Sequence, residues 1–245
     1  MPNAWDVGSA RLFQSQGFSA VATTSSGFAA TLGRMDQQVR LEELVEHVTA
    51  LGAVLDLPLS VDAEDGYADD PAGLESTVEA LARAGASGIS IEDHRPGVGI
   101  LDRPAAVERV AVFVEAANRH GLIVTARAEN LLYGIDDLSD TIERLNAYAA
   151  AGAHVVYAPG LKSSADLRLV VDSVPVPVNA LLIPGGPTVG EMRDSGIRRV
   201  STGGALAWVA YGAAHRAARE LLDSGTQDYS SGMLSADDRS RAFQG

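Results

Sequence analysis

The stretch Ser60-Val61-Asp62-Ala63-Glu64-Asp65-Gly66-Tyr67 decides how this chain is read. It is the end of a short apolar run, with Leu57, Leu59 and Val61 on alternate positions, that stops abruptly in carboxylates. Alternate side chains of a strand point to the same face, so Asp62 and Glu64 are expected to project together beyond the last apolar residue. Two further runs stop in the same way, Ile91-Glu92-Asp93 in acid and Thr125-Ala126-Arg127 in base. Carboxylate oxygens gathered at strand ends suit a hard cation. The blander alternative for any one of them is a helix cap or a solvated loop, as Asp69-Asp70-Pro71 illustrates on its way into the next helix.

Outward from that stretch the chain repeats one rhythm. Gly17, Gly52, Gly85, Gly121, Gly152 and Gly196 each follow a helical-looking segment and precede a short apolar run. A glycine just past a helix end supplies the left-handed conformation that closes it. The runs cover 20–24, 57–62, 88–92, 122–127, 154–158 and 199–202, with a seventh at 177–182, and helices are expected at 41–51, 73–84, 104–119 and 140–151. Strands alternating with helices imply a parallel sheet. No Gly-x-Gly-x-x-Gly follows the first strand, as a doubly wound dinucleotide fold would require, and polar residues close nearly every strand, as in a (β/α)8 TIM-type barrel. The eighth strand that a barrel needs is expected before Asn3, either vestigial or supplied by a natural chain that starts upstream. A single barrel domain is expected over 1–223, followed by a polar tail over 224–245.

Composition narrows the partners. The 245 residues are 46% hydrophobic, with no cysteine and a formal net charge of -13. The lack of cysteine removes disulfides, thiolate metal sites and a cysteine nucleophile. The negative charge argues against nucleic acid, which needs clustered Lys and Arg. No run approaches the roughly 20 apolar residues of a membrane span, and no basic segment followed by an apolar core opens the chain, so a cytoplasmic protein is expected.

Magnesium is the sharpest chemical expectation, because it takes few direct carboxylate ligands and keeps several waters for others to hold. Asp62, Glu64 and Glu92 are the candidates, with Asp36 a possible fourth from the preceding loop; manganese would fit the same oxygens. Arg127 suits bidentate binding of a carboxylate or phosphonate, its alternative being an ion pair with Glu129 or Glu92. The Thr23-Thr24-Ser25-Ser26-Gly27 turn offers hydroxyls and backbone N–H groups to an oxyanion. Of the five histidines, only His94 falls in a loop, 93–103, where Pro96, Gly97 and Gly99 suggest a lid.

These residues carry a resemblance. Asn3-Ala4-Trp5-Asp6, Thr23 to Asp36, Val61 to Tyr67, Ile91-Glu92-Asp93, Ala126-Arg127-Ala128-Glu129-Asn130 and Ala151-Gly152-Ala153 are similar, in order, to the isocitrate lyase and phosphoenolpyruvate mutase superfamily, from Pro2 to about Tyr211. The resemblance implies an (α/β)8 barrel, often with a C-terminal helix exchanged between partners. It also implies magnesium bound directly by Asp62 and through waters by Asp36, Glu64 and Glu92. Arg127, Thr24, Ser25 and Ser26 become the implied catalytic and substrate-binding groups, with Asn130 beside them. The chain departs from the superfamily in having Glu64 where a second Asp is usual and in lacking the lyase Lys-Lys-Cys-Gly-His run. The expected activity is cleavage or rearrangement of a C–C or C–P bond next to the carbonyl of a small 2-oxo acid through an enolate-like state, a lyase or decarboxylase first. Phosphonopyruvate hydrolase or phosphoenolpyruvate phosphonomutase chemistry is one alternative, and a non-catalytic small-acid-binding or assembly protein is the other. Residues 205–222 are apolar around more of their circumference than a one-faced surface helix needs, and a homodimer or homotetramer is expected.

Overall fold

The computed structural model describes residues 1–244. Eight strands form one sheet in chain order: β1 (Asn3–Ala4), β2 (Val21–Thr23), β3 (Leu59–Asp62), β4 (Gly88–Glu92), β5 (Ile123–Arg127), β6 (Val155–Tyr157), β7 (Val178–Leu181) and β8 (Arg199–Ser201). Every neighbouring pair is parallel. Around them run α1 (Val7–Ser15), α2 (Ser25–Thr31), α3 (Leu41–Gly52), α4 (Pro71–Arg83), α5 (Arg103–Arg119), α6 (Leu138–Ala150), α7 (Ser164–Ser173), α8 (Val189–Asp194) and α9 (Ala205–Asp223). This is a nearly closed (β/α)8 barrel, as the strand and helix rhythm requires.

The first strand falls on Asn3–Ala4 itself rather than upstream of it, and is only two residues long. No strand ladder joins β8 to β1; the seam is closed by local bonds. Met1 N donates to the Val200 carbonyl at 2.8 Å, and the Asn3 side-chain oxygen accepts from the backbone N–H groups of Thr202 at 2.9 Å and Gly203 at 3.1 Å. An amide side chain therefore does for the barrel what a longer strand would do with its backbone.

The helix punctuation follows the residues. Asp70, Asp102 and Asp137 cap α4, α5 and α6 by accepting from the N–H three residues on, each at 2.9 Å, an interaction typically worth about 1 kcal/mol. At Asp70 and Pro71, then, the cap is what the acid is for. Gly152 closes α6 with φ of +97°. Gly52 does something else: it is the last residue of α3, and a Cβ there would stand 3.1 Å from the Ala84 carbonyl. Its smallness lets the ends of α3 and α4 approach.

The outward faces of the strands make the core. Val61, Ile89, Ile91, Val124, Ala126 and Val156 join Leu44, Leu51, Leu74, Leu81, Phe113, Leu145 and Tyr148 from the helices in one buried apolar cluster. Inward positions are different. Barrel interiors are ordinarily filled with Val, Ile and Leu, but here Ser60, Ser90, Thr125, Asn179, Arg199 and Ser201 line an open lumen.

The segment expected as a lid is an ordered antiparallel hairpin, His94–Arg95 against Gly99–Ile100. Past α9, residues 224–244 hold a 3-10 turn (Asp228–Gly232) and a short helix, α10 (Ala236–Phe243), which returns to pack on α1 with Ala242 buried. No described helix is long and apolar enough to cross a membrane.

Candidate active site

A cavity of about 190 Å³ opens at the carboxyl ends of the strands and continues down the lumen. Asp62, the last residue of β3, stands in its wall. Its Oδ2 accepts from the Ser25 backbone N–H at 3.2 Å, and its Oδ1 accepts from Ser90 Oγ at 3.3 Å and from Arg127 Nη1 at 3.0 Å. The same Nη1 lies 2.9 Å from Glu92 Oε1, and Arg127 Nε donates to Glu129 Oε1 at 2.6 Å. The Tyr157 ring lies against this guanidinium, its centroid 5.1 Å away. Arg127 thus has both alternative partners, Glu92 and Glu129, and Asp62 as well. Its Nη2 carries no protein hydrogen bond among the described residues.

The electrostatics follow from the crowding. Burial raises the Glu64 carboxyl, with Asp62 adding to it, to about 8. Burial likewise raises Glu92 well above the carboxylate range, against the pull of Arg127. Burial alone would lower the Arg127 guanidinium, but Glu129, Glu92 and Asp62 outweigh it and hold the charge in place. Glu129 Oε2 is buried with no partner at all. Asp62, Glu92 and Glu129 therefore share one guanidinium, with Glu64 close by, and the raised carboxyls mark a site with more carboxyl oxygen than the protein's own cations can pair. That chemistry fits a hard divalent cation. Among the described residues no three such side chains converge closely enough to enclose an ion directly, so the fit is to an ion that keeps much of its water.

The expected residues are placed unequally. Thr24, Ser25, Ser26, Asp36, Asp62 and Arg127 all line the cavity. Thr24 Oγ1 also accepts from the Gly27 N–H at 3.3 Å as the cap of α2, and Ser26 Oγ accepts from Trp208 Nε1 at 3.2 Å. Glu64 does not continue the alternation that Asp62 begins: β3 ends at Asp62, and Glu64 sits at φ +45°, its carboxylate accepting from Tyr67 Oη at 3.0 Å. Glu92 lies behind Arg127 rather than at the cavity surface. Asn130 is fully buried away from the cavity, where its Nδ2 donates to Thr141 Oγ1 at 2.8 Å and to the Asp137 carbonyl at 3.2 Å. Asp93, next to Glu92, is a brace: it accepts from the Glu129 N–H at 2.8 Å, from Tyr148 Oη at 2.6 Å and from Arg144 Nη1 at 3.1 Å.

Sequence reasoning missed Tyr157 and Arg199 as cavity residues, noted Asn179 near the end of its strand without giving it a role, and missed the clasp that stands next in sequence to the cavity residues Asp36 and Leu132. In that clasp Gln37 Nε2 lies 3.1 Å from His94 Nδ1 and donates to Tyr133 Oη at 2.9 Å, while the His94 and Tyr133 rings stack at 3.7 Å. Gln37 holds φ of +62° to do so. The signal for the missed strand residues was available: they are polar side chains on the inward positions of apolar strands. The clasp joins three separate loops and left no such pattern.

Comparisons with known proteins agree with the barrel fold. A family model described as phosphoenolpyruvate phosphomutase matches residues 1–222. A solved structure from Burkholderia cenocepacia J2315, carrying a provisional lyase/mutase assignment, superposes with a TM-score of 0.94 at 41% identity, over 100% of this chain and 90% of that one. The oxaloacetate decarboxylase of Paraburkholderia xenovorans LB400 is 34% identical over 76% of this chain and 64% of its own length. The 2-methylisocitrate lyase of Escherichia coli K12 is 31% identical over 73% of this chain and 63% of its own. The chain thus spans a little under two thirds of those two enzymes. With its barrel, its acidic strand ends and a family match over nearly its whole length, the chain belongs to the phosphoenolpyruvate phosphomutase family, within the isocitrate lyase/phosphoenolpyruvate mutase superfamily.

Proposed function

We propose that this protein is a magnesium-dependent lyase or decarboxylase that breaks a C–C bond next to the carbonyl of a small 2-oxo acid, leaving an enolate-like product. The observation that carries the reading is the shared cavity wall of Asp36, Asp62, Arg127 and the Thr24 to Ser26 turn, with the Glu64 and Glu92 carboxyls, raised by burial and by neighbouring acids, close to it. Relatives named as an oxaloacetate decarboxylase and a 2-methylisocitrate lyase support the same chemistry.

In this reading Asp62 would hold the metal directly and Asp36, which shares its cavity wall, would hold it through water, with Glu64 and Glu92 reaching it through further water from outside the cavity lining. Magnesium, when bound, supplies an electrophile that polarises the substrate carbonyl and stabilises negative charge on its oxygen. Arg127 turns its unbonded Nη2 edge to the substrate carboxylate, while Asp62, Glu92 and Glu129 fix the orientation of the guanidinium. Fixing the group beforehand lowers the entropic cost of aligning the scissile bond. The Ser25 and Ser26 hydroxyls face the same space and donate to developing oxyanion charge. The clasp of Gln37, His94 and Tyr133 limits water at the mouth, where water would quench the carbanion.

The assembly belongs to the same reading. Trp208, Val209 and Leu222 on α9 are more than half exposed, and a second copy of the chain would cover them in a homodimer or homotetramer; light scattering at micromolar concentration is expected to give more than the monomer mass. The activity is tested by a turnover panel of oxo acids and phosphonopyruvate with and without magnesium. Metal-dependent pyruvate or carbon dioxide release from an oxo acid is expected. Turnover of phosphonopyruvate alone would replace the lyase with a C–P enzyme, and no turnover of any acid would leave a binding protein.

A further inference from the structure

Two arginines line the cavity, and their surroundings differ in one decisive respect. Arg127 is ion-paired to three carboxylates. Arg199, the first residue of β8, makes no ion pair among the described residues. Its hydrogen bonds run to neutral oxygens, Nε to Asn179 Oδ1 at 3.0 Å and Nη2 to Thr125 Oγ1. Burial depresses its pKa, the expected response of a cation taken out of water without a counter-ion. A buried charge in that condition is costly unless something pairs it.

Its position says what would pair it. Thr125 lies two residues before Arg127 on β5, so the point reached by Arg199 is one inward step deeper, about 6.6 Å along the strand. Strands β5 and β8 are separated by β6 and β7, so Arg199 reaches across the lumen from the far wall. Asn179 and Thr125 hold it, the Met1 ammonium is close enough to feel its repulsion, and neither acid of the cavity lining, Asp36 or Asp62, is paired with it. A ligand held at the rim by Asp62 and Arg127 would therefore extend its other end down to an unpaired guanidinium.

We propose that Arg199 determines specificity by binding a second anionic end of the substrate, so that the acid taken by this cavity is a 2-oxo acid with a distal carboxylate. The fork of a guanidinium matches a carboxylate with two parallel hydrogen bonds, and Asn179 and Thr125 hold that fork from behind. The inference rests on the 2-oxo acid reading of the site and adds to it the residue that selects a dicarboxylate.

The test compares two unreactive ligands that differ by one carboxylate, 3,3-difluorooxaloacetate and 3,3-difluoropyruvate, titrated calorimetrically with magnesium into the full chain. The native protein is expected to prefer the dicarboxylate by about 30-fold, the worth of a charge-assisted pair of hydrogen bonds. Arg199→Gln is expected to lose that preference, binding the dicarboxylate about 30-fold more weakly and the monocarboxylate within about 2-fold of native. Equal losses on both ligands, or a native protein without preference, would overturn the proposal. Should Arg199→Gln not fold, Arg199→Lys keeps the charge and loses the fork; a reduced preference supports the proposal and an unchanged one refutes it. Native protein that binds neither ligand and turns over no acid removes the 2-oxo acid reading and this inference together. Native turnover with a preference insensitive to Arg199 removes this inference alone.

Discussion

On one side of the barrel lumen, β3 to β5 and the turn after them crowd Asp62, Glu92 and Glu129 around the Arg127 guanidinium; on the other, β6 to β8 set Tyr157, Asn179 and Ser201 around Arg199 with no acid among them. Both walls are inward faces of parallel strands, built on the same backbone. The difference is in charge: one wall carries more carboxylate than it can neutralise, the other a cation that it does not neutralise. Each imbalance is a cost that the chain bears with its own side chains alone. Bound ligands of opposite sign remove it, a cation at the acidic wall and an anion at the basic one.

The sharpest way to break the comparison is to remove Asp62. Asp62→Ala is expected to abolish magnesium-dependent turnover, by about a thousandfold or more, equivalent to roughly 4 kcal/mol, and to weaken metal binding in calorimetry. Unchanged metal affinity would detach Asp62 from the metal. Stability should separate the two arginines next. Arg127→Met strands three carboxylates without a counter-charge and is expected to cost about 3–5 kcal/mol in urea unfolding. Arg199→Met removes a charge that has no partner and loses only hydrogen bonds to Asn179 and Thr125, so a cost below about 2 kcal/mol is expected. Equal losses would mean that the two walls are not electrostatically distinct.

A smaller effect lies behind the acidic wall. His47 of α3 stacks on Phe28 of α2 at 3.8 Å, and its Nε2 is buried without a partner. Burial lowers its pKa from 6.5 to about 4, with Asp6 opposing. Between those values the unfolded chain binds the proton and the folded one does not, so stability is full above pH 6.5 and falls as pH drops toward 4. The loss is expected to reach about 2–3 kcal/mol. His47→Phe should flatten that part of the profile in denaturation measured at pH 4 and 7. A slope unchanged by the substitution would place the proton elsewhere.

Much of the scaffold was legible in residues. The strands at 88–92 and 122–127 agree with β4 and with β5 to within one residue, because an apolar run between a helix-closing glycine and a charged stop has few other folds available. The acidic ends of β3 and β4 and the base at the end of β5 were legible for the same reason: charge ends burial. Glu64 was read by extending a strand past its end, and a backbone at φ +45° is not visible in side-chain alternation. Asn130 was carried along with its motif, whereas the fold spends its amide on the loop after β5. Arg199 stood at the start of a recognised strand and passed as part of it, although a charged side chain on an inward strand position was the same signal that singled out Arg127.

The sequence by itself determined the periodicity, and with it the barrel, the order of the strands and the family, because local backbone preference and hydrophobic alternation are written residue by residue. It also determined that acids and an arginine would end the central strands. Only the tertiary structure decided which charges meet. Closing the barrel places Arg127 against Asp62, which is 65 residues away in sequence, brings Arg199 to Thr125 across 74 residues, and lets Asn3 seal the seam with Thr202 across 199 residues. Pairings of that kind depend on distances through a folded interior, where low dielectric makes every unpaired charge count, and no local pattern encodes them.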